Sequence, residues 1–101
     1  MTEEKVLCRT PTPGKRPVNI TRWKYEAVRR AILAAVPEQE PGIPFKELSA
    51  QVGARLKPGE RERLGSIGWY TTSVKLDLEV RGEIRRVAGI TPQRLVRAVQ
   101  V

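Results

Sequence analysis

The stretch IGWYTTSVKLDLEVRGEIRRV, residues 67–87, decides the fold because its pattern fits either a strand or a helix. From Val74 to Val80 apolar and polar residues alternate, as in a half-buried strand, and a turn at Arg81-Gly82 would complete a hairpin. As a helix, the same stretch has one apolar side at spacings of 3, 4 and 4, formed by Ile67, Tyr70, Val74 and Leu78.

Composition and the end of the stretch favour the helix. Lysine, leucine and glutamate favour helices, aspartate disfavours strands, and few residues after Ser73 are β-branched. Gly82 suits the left-handed position that follows a helix end, whereas Arg-Gly is a poor two-residue hairpin turn. The sequence therefore predicts a helix over Ser66–Arg81, with a positive φ at Gly82.

The rest of the chain predicts two further main helices, a short helical turn and two strands. A helix opens at Asn19-Ile20-Thr21 and ends before Pro37, a second follows in IPFKELSAQV, and PGERERLG forms a short charged turn of helix. Two strands, Ile84–Val87 and Arg94–Val99, flank the loop AGITPQ. RTPTPGKRP, residues 9–17, cannot be a regular element. We therefore expect a basic extended arm over residues 1–18 and one domain over residues 19–101.

Three helical stripes predict a single core, because in a chain of 101 residues they have only one another and the two strands to pack against. Its predicted members are Tyr25, Val28, Ile32, Phe45, Leu48, Val52, Val74 and Leu78.

The charge of the chain is basic at its two ends and balanced in the middle. The net charge is +8, with eight Lys/Arg against one Glu in residues 5–30 and five Arg against one Glu in residues 81–101. Residues 31–80 carry six basic against seven acidic groups. Such an excess favours a polyanionic partner, and we expect a nucleic acid.

Three main helices followed by a basic β-hairpin describe an α+β winged helix, in which the third main helix enters the major groove and the hairpin is the wing. The segment VKLDLEVRGEIRRV resembles the helix-into-wing junction of winged-helix domains such as the amino-terminal domain of Mrr-type restriction proteins. The segments RWKYEAVRRAIL, GIPFKEL, ERERLGSIGWYTTSVKLDLEVRGEIRRV and TPQRL resemble a family of small uncharacterised bacterial proteins over roughly residues 5–97. The resemblance implies a fold and brings no activity with it.

Duplex DNA is the expected partner, contacted mainly through its backbone by a small transcriptional or chromatin-associated regulator. The phosphate-contacting candidates on the arm, first helix and wing are Lys15, Arg16, Arg22, Lys24, Arg85, Arg86, Arg94 and Arg97. On the proposed recognition helix the candidates are Thr71, Thr72 and Lys75. That helix carries Lys75 against Asp77 and Glu79 over residues 66–80 and lacks the arginines that commonly read guanine, so we expect little sequence preference.

A second apolar stripe on the same helix, Trp69, Leu76 and Val80, lies nearly opposite the first. Either another segment of the chain or a second chain has to cover it, and we favour a homodimer. This stripe and the net −1 of the helix support an alternative function, a protein-interaction or dimerisation module of winged-helix fold without direct DNA contact.

The residues do not indicate a catalytic site, a cofactor site or a membrane-spanning segment. Without histidine, and with Cys8 as the only cysteine, neither a Cys-His dyad nor a Ser-His-Asp triad can form. Cys8 also lacks partners for a zinc site, and the scattered glycines match no phosphate-binding signature. We expect no enzyme, cofactor or small-molecule substrate. No run suits a membrane span, and MTEEKV does not resemble a secretory signal, so we expect a cytoplasmic protein.

Overall fold

Residues 4–98 are described by a computed structural model of the chain. The element order is β1 Lys5–Cys8, β2 Val18–Thr21, α1 Arg22–Ala35, β3 Ile43–Pro44, α2 Phe45–Arg55, α3 Pro58–Leu64, α4 Ile67–Arg81, β4 Ile84–Arg86 and β5 Arg94–Arg97. Over residues 4–98 the fold has four helices and two small antiparallel sheets, which confirms the predicted α+β class. The helix count differs from the three main helices predicted, because the short charged turn forms the seven-residue helix α3.

The deciding stretch is helical, so the strand interpretation is wrong. Ser66 caps the start of α4, its hydroxyl accepting a hydrogen bond from the Trp69 N–H at 3.1 Å. At the other end Gly82 has φ 78°, as predicted. The Glu83 N–H then donates to the Leu78 carbonyl at 2.9 Å, which closes the helix in a Schellman arrangement.

The carboxyl-terminal sheet has the strand order β3-β5-β4. The predicted antiparallel pair is present, with Ile84 opposite Arg97 and Arg86 opposite Leu95, and the last predicted strand residue, Val99, lies outside the described residues. The two-residue strand β3, which was not predicted, adds to the other side of β5. Gly42 permits this contact, because a Cβ there would lie 2.0 Å from the Leu95 carbonyl oxygen.

The amino-terminal sheet corrects the predicted arm. Residues 5–8 pair antiparallel with residues 18–21, with Lys5 opposite Thr21 and Cys8 opposite Val18. Only residues 9–17, called the hairpin loop below, lack a regular element as predicted, and residues 1–3 lie outside the described range. The sheet is continuous with α1, since the Arg22 N–H donates to the Glu4 carbonyl at 2.8 Å. The amino terminus of the domain is therefore a docked β-hairpin.

The core lies where α1, α2 and α4 pack against one another. Seven of the eight predicted core residues are buried, and Phe45 is half-buried at the core edge. Both sheets also contribute buried side chains: Cys8 and Ile20 from the hairpin, and Ile84, Leu95 and Val96 from the other sheet.

Candidate nucleic-acid interface

Helix α4 turns most of its charged residues toward the protein. Lys75 and Asp77 are each 1 % exposed, and the Glu79 side chain is 9 % exposed. Only Arg81, in the last turn, has a charged side chain that is substantially exposed. The helix therefore presents an almost uncharged face to solvent.

Lys75 is held by an acidic and an aromatic side chain. Its Nζ lies 2.9 Å from Glu79 Oε2 and 4.6 Å from the centroid of the Phe45 ring. Burial lowers the pKa of Lys75, and the neighbouring Glu79 carboxylate opposes that effect. A buried cation without such partners would be costly, so the ion pair and the ring explain how it is tolerated.

The structure places two of the predicted contacts on α4 in the interior of the domain. Thr71 is 0 % exposed, and Lys75 is engaged as described above, so neither can reach a nucleic acid in this conformation. Thr72 is exposed. Of the three candidates on the helix, Thr72 alone is placed to contact a partner.

A buried carboxylate that the sequence did not indicate joins three elements. Asp77 accepts hydrogen bonds from the Tyr25 hydroxyl at 2.7 Å, the Arg9 N–H at 3.0 Å and Arg81 Nε at 2.6 Å. Burial and the Asp77 carboxylate raise the pKa of the adjacent Cys8 thiol from 9.0 to about 11. The i, i+4 spacing of Asp77 and Arg81 could have indicated their pairing, but not their connection to the hairpin.

The arginines of the predicted wing are largely engaged within the chain. Arg85 lies 2.9 Å from Glu40, Arg86 lies 2.8 Å from Glu79, and Arg97 lies 3.1 Å from Glu38, measured between guanidinium nitrogens and carboxylate oxygens. Arg94 donates to the Pro41 and Gly42 carbonyls at 2.8 Å each. These contacts hold β4 and β5 to neighbouring segments and reduce the charge available to phosphates.

The two basic candidates on α1 are also occupied. Arg22 Nε lies 2.5 Å from Glu4 and Arg22 Nη1 lies 3.5 Å from Glu26. Lys24 Nζ donates to the Leu64 carbonyl at 3.2 Å and to the Tyr70 hydroxyl at 3.3 Å. Lys24 therefore ties α1 to α3 and α4, which makes it a structural residue.

The hairpin loop carries the candidates with the most available charge. Lys15 and Arg16 are exposed, as is Arg9 at the start of the loop. Within residues 4–98 none of the three has a carboxylate at ion-pair distance. The loop lies beside β4, because one surface cleft is lined by residues 11–13 together with Glu79, Ile84, Arg85 and Arg86.

The second apolar stripe of α4 is not covered by the part of the chain that the structure describes. Trp69 is 48 % exposed, Val80 is 42 % exposed and Leu76 is half-buried. The Trp69 ring packs against the ring of its neighbour Tyr70 in a T-shaped arrangement, with ring centroids 4.9 Å apart. The exposed face of α4 is therefore apolar along most of its length.

Residues 4–98 hold no group of three or more Cys, Asp or Glu side chains arranged to bind a metal ion. In the same residues no helix is both long and apolar enough to cross a membrane.

These features define a small basic α+β domain with two distinctive surfaces. One is the set of loop cations, which have no ion-pair partner among residues 4–98, and the other is the uncharged helix face with its apolar stripe. The chain belongs to DUF6958, a family of unknown function, whose model matches residues 5–95. Comparison with curated proteins and with solved structures found no significant match.

Proposed function

We propose that this protein binds the backbone of duplex DNA through the hairpin loop, which lies beside strand β4. The observation that carries the proposal is the cluster of Arg9, Lys15 and Arg16, three exposed cations on one nine-residue loop without a carboxylate at ion-pair distance among residues 4–98. Cations that are free of internal partners can replace counterions on phosphates, which is the main source of sequence-independent affinity.

The fold we propose for this binding protein is a winged helix. Support comes from the order of the elements, since α1, α2 and α4 are followed directly by the β4–β5 hairpin. The seven-residue helix α3 is an addition to that arrangement.

The proposed contacts are with phosphates because α4 has little with which to read bases. Its exposed face offers the Thr72 hydroxyl and no lysine or arginine before Arg81. Phosphate contacts position a protein on a duplex without reading its sequence. Binding of this kind suits a small transcriptional or chromatin-associated regulator in the cytoplasm.

Fluorescence anisotropy on a labelled mixed-sequence duplex, at low and moderate salt, tests the proposal. Three phosphate contacts at about −0.9 each give a slope of log K against log salt of about −3. Replacing Lys15 and Arg16 together with Ala should flatten that slope by about 2. The matched control is the double variant Lys57→Ala and Arg61→Ala, which removes two exposed cations, one preceding α3 and one within it.

Two results would overturn the proposal. One is the absence of binding at micromolar protein and low salt. The other is an equal loss of affinity in both double variants, because that would show a dependence on total charge rather than on the hairpin loop.

A second candidate function is a protein-interaction or dimerisation module, and the exposed apolar face of α4 favours it specifically. Large apolar side chains such as Trp69 are enriched at the centres of interfaces. This function and DNA binding use different surfaces, so a single protein can have both.

A further inference from the structure

Helix α4 has apolar side chains on two sides, Val74 and Leu78 in the core and a second stripe exposed to solvent, while two of its charged residues are buried. A surface helix of a monomer places its polar residues in water. Here Lys75 and Asp77 are buried, while Trp69 and Val80 are more than two-fifths exposed. This arrangement is expected where the outward face has a partner.

The spacing of the exposed face indicates that the partner is another helix. Trp69, Ser73, Leu76 and Val80 follow one another at intervals of 4, 3 and 4 residues. This is the spacing of the a and d positions at which two helices pack side by side. A groove for a small ligand or an extended peptide would not require it.

We propose that α4 packs antiparallel against α4 of a second copy of this chain, forming a homodimer around a twofold axis between Ser73 and Leu76. The inference is independent of DNA binding, because the loop cations take no part in it. Two features indicate that the partner is a second copy of the chain, namely the sizes of the four side chains and their lack of charge.

The sizes are self-complementary about that axis. In the antiparallel register Trp69 lies opposite Val80 of the partner subunit, and Ser73 lies opposite Leu76 of the partner subunit. Each layer therefore combines a larger and a smaller side chain, the arrangement that lets facing helices interdigitate. A parallel pair would instead place two tryptophans in one layer and two serines in another.

The lack of charge matters because a chain with net charge +8 repels its own copies. The four positions carry no charged group, so pairing through them brings no like charges together at the centre of the interface. The antiparallel arrangement also places the carboxyl end of each helix beside the amino end of the other, where the helix dipoles attract. Arg81, the exposed charge at the end of the helix, comes opposite the small Gly68 of the partner subunit.

The size of the contact sets the expected affinity. A stable complex of standard size buries about 800 Å² per partner, more than four side chains can supply. We therefore expect a reversible dimer with a dissociation constant on the order of micromolar.

Sedimentation equilibrium of the full chain, from low micromolar to millimolar concentration, measures the association. The wild type should rise from monomer to dimer mass across this range. Leu76→Glu should remain monomeric, because it places two carboxylates in an apolar seam. Leu7→Glu is the matched control, since Leu7 is 43 % exposed on β1 and is not part of the stripe, and this variant should dimerise like the wild type.

Disulfide trapping tests the orientation of the two helices in a Cys8→Ser background. The positions of Trp69 and Val80 lie roughly 16 Å apart along one helix, from 1.5 Å per residue. A mixture of the Trp69→Cys and Val80→Cys variants should form a mixed disulfide faster than either variant crosslinks with itself. Faster self-crosslinking, a wild type that stays monomeric at millimolar concentration, or a Leu76→Glu variant that still dimerises would overturn the proposal.

Discussion

Removing the Asp77 carboxylate should cost about 3–5 kcal/mol of unfolding free energy. Asp77→Ala leaves the buried Tyr25 hydroxyl and the partly buried Arg9 N–H without an acceptor, at up to about 1–3 kcal/mol for each donor. Arg81 adds less, because its side chain is 45 % exposed and water can replace the lost partner. A domain of this size has a total stability of roughly 5–15 kcal/mol, so the loss is readily measured.

Two milder variants show how much the individual hydrogen bonds contribute to the loss of stability in Asp77→Ala. Tyr25→Phe removes one of the three hydrogen bonds to Asp77 and should cost about 1–2 kcal/mol. Asp77→Asn keeps the size of the side chain and one oxygen acceptor, so its cost should lie between those of the other two variants. Because both residues share one hydrogen bond, the double variant Tyr25→Phe with Asp77→Asn should cost less than the sum of the singles.

Urea titration, monitored by circular dichroism, measures the unfolding free energies of these four variants. The cluster also joins the hairpin to α1 and α4, so in Asp77→Ala the amide hydrogens of β1 should exchange with solvent faster than those of α1. A loss below about 1 kcal/mol in Asp77→Ala, with exchange in β1 unchanged, would refute the role assigned to this carboxylate.

Three further changes test the packing and the charge of the core. Gly82→Ala should destabilise the protein by about 1 kcal/mol through backbone strain alone, because the space around Gly82 is open. Gly68 also lies in open space but within the helix, so Gly68→Ala should stabilise α4 by up to about 1 kcal/mol. Equal effects of the two variants in denaturant titrations would contradict the left-handed conformation of Gly82. Leu78→Ala should cost about 2–5 kcal/mol, and a loss below 1 kcal/mol would mean that its site is not well packed. Folding raises the pKa of Cys8 from 9.0 to about 11, because the buried thiol is held neutral. Its contribution to the unfolding free energy is therefore fully present below pH 9.0 and is lost as the pH rises toward about 11. Between these pH values the unfolding free energy of Cys8→Ala should therefore fall by about 2–3 kcal/mol less than that of the wild type. If the two unfolding free energies instead change in parallel with pH, the neutral thiol is not buried.

The sequence predicts the elements whose signal is local and repeated. The α4 pattern runs over four turns and ends at Gly82, and the apolar stripes of α1 and α2 have the same 3–4 spacing, so these helices and their core residues are found from the chain alone. The strand β3 has two residues, and the strands β1 and β2 have four each, separated by a proline-rich loop. Segments of that length carry too little pattern to be distinguished from an extended arm.

The candidate site was harder to predict because it depends on partners distant in the sequence. A lysine such as Lys75 on a helix is ordinarily expected in water, and its burial depends on Phe45, 30 positions earlier. In the same way Arg85 is paired with Glu40, across 45 positions. Net charge along the chain therefore located the basic ends correctly, but it could not show which cations were already occupied.

The docked hairpin makes the amino-terminal strand a separable part of the protein. Strand β1 is held by its ladder with β2, by the buried Cys8 and by the Arg9–Asp77 hydrogen bond. Each of these contacts joins a residue that precedes the exposed Lys15-Arg16 bond to residues that follow it. Cleavage at that bond would cut the chain and leave every one of these contacts in place. We expect trypsin to produce a nicked protein whose two fragments copurify, and a synthetic peptide of residues 4–15 to restore the unfolding temperature of a chain that begins at residue 16. Failure of the peptide to do so would show that β1 needs its covalent connection.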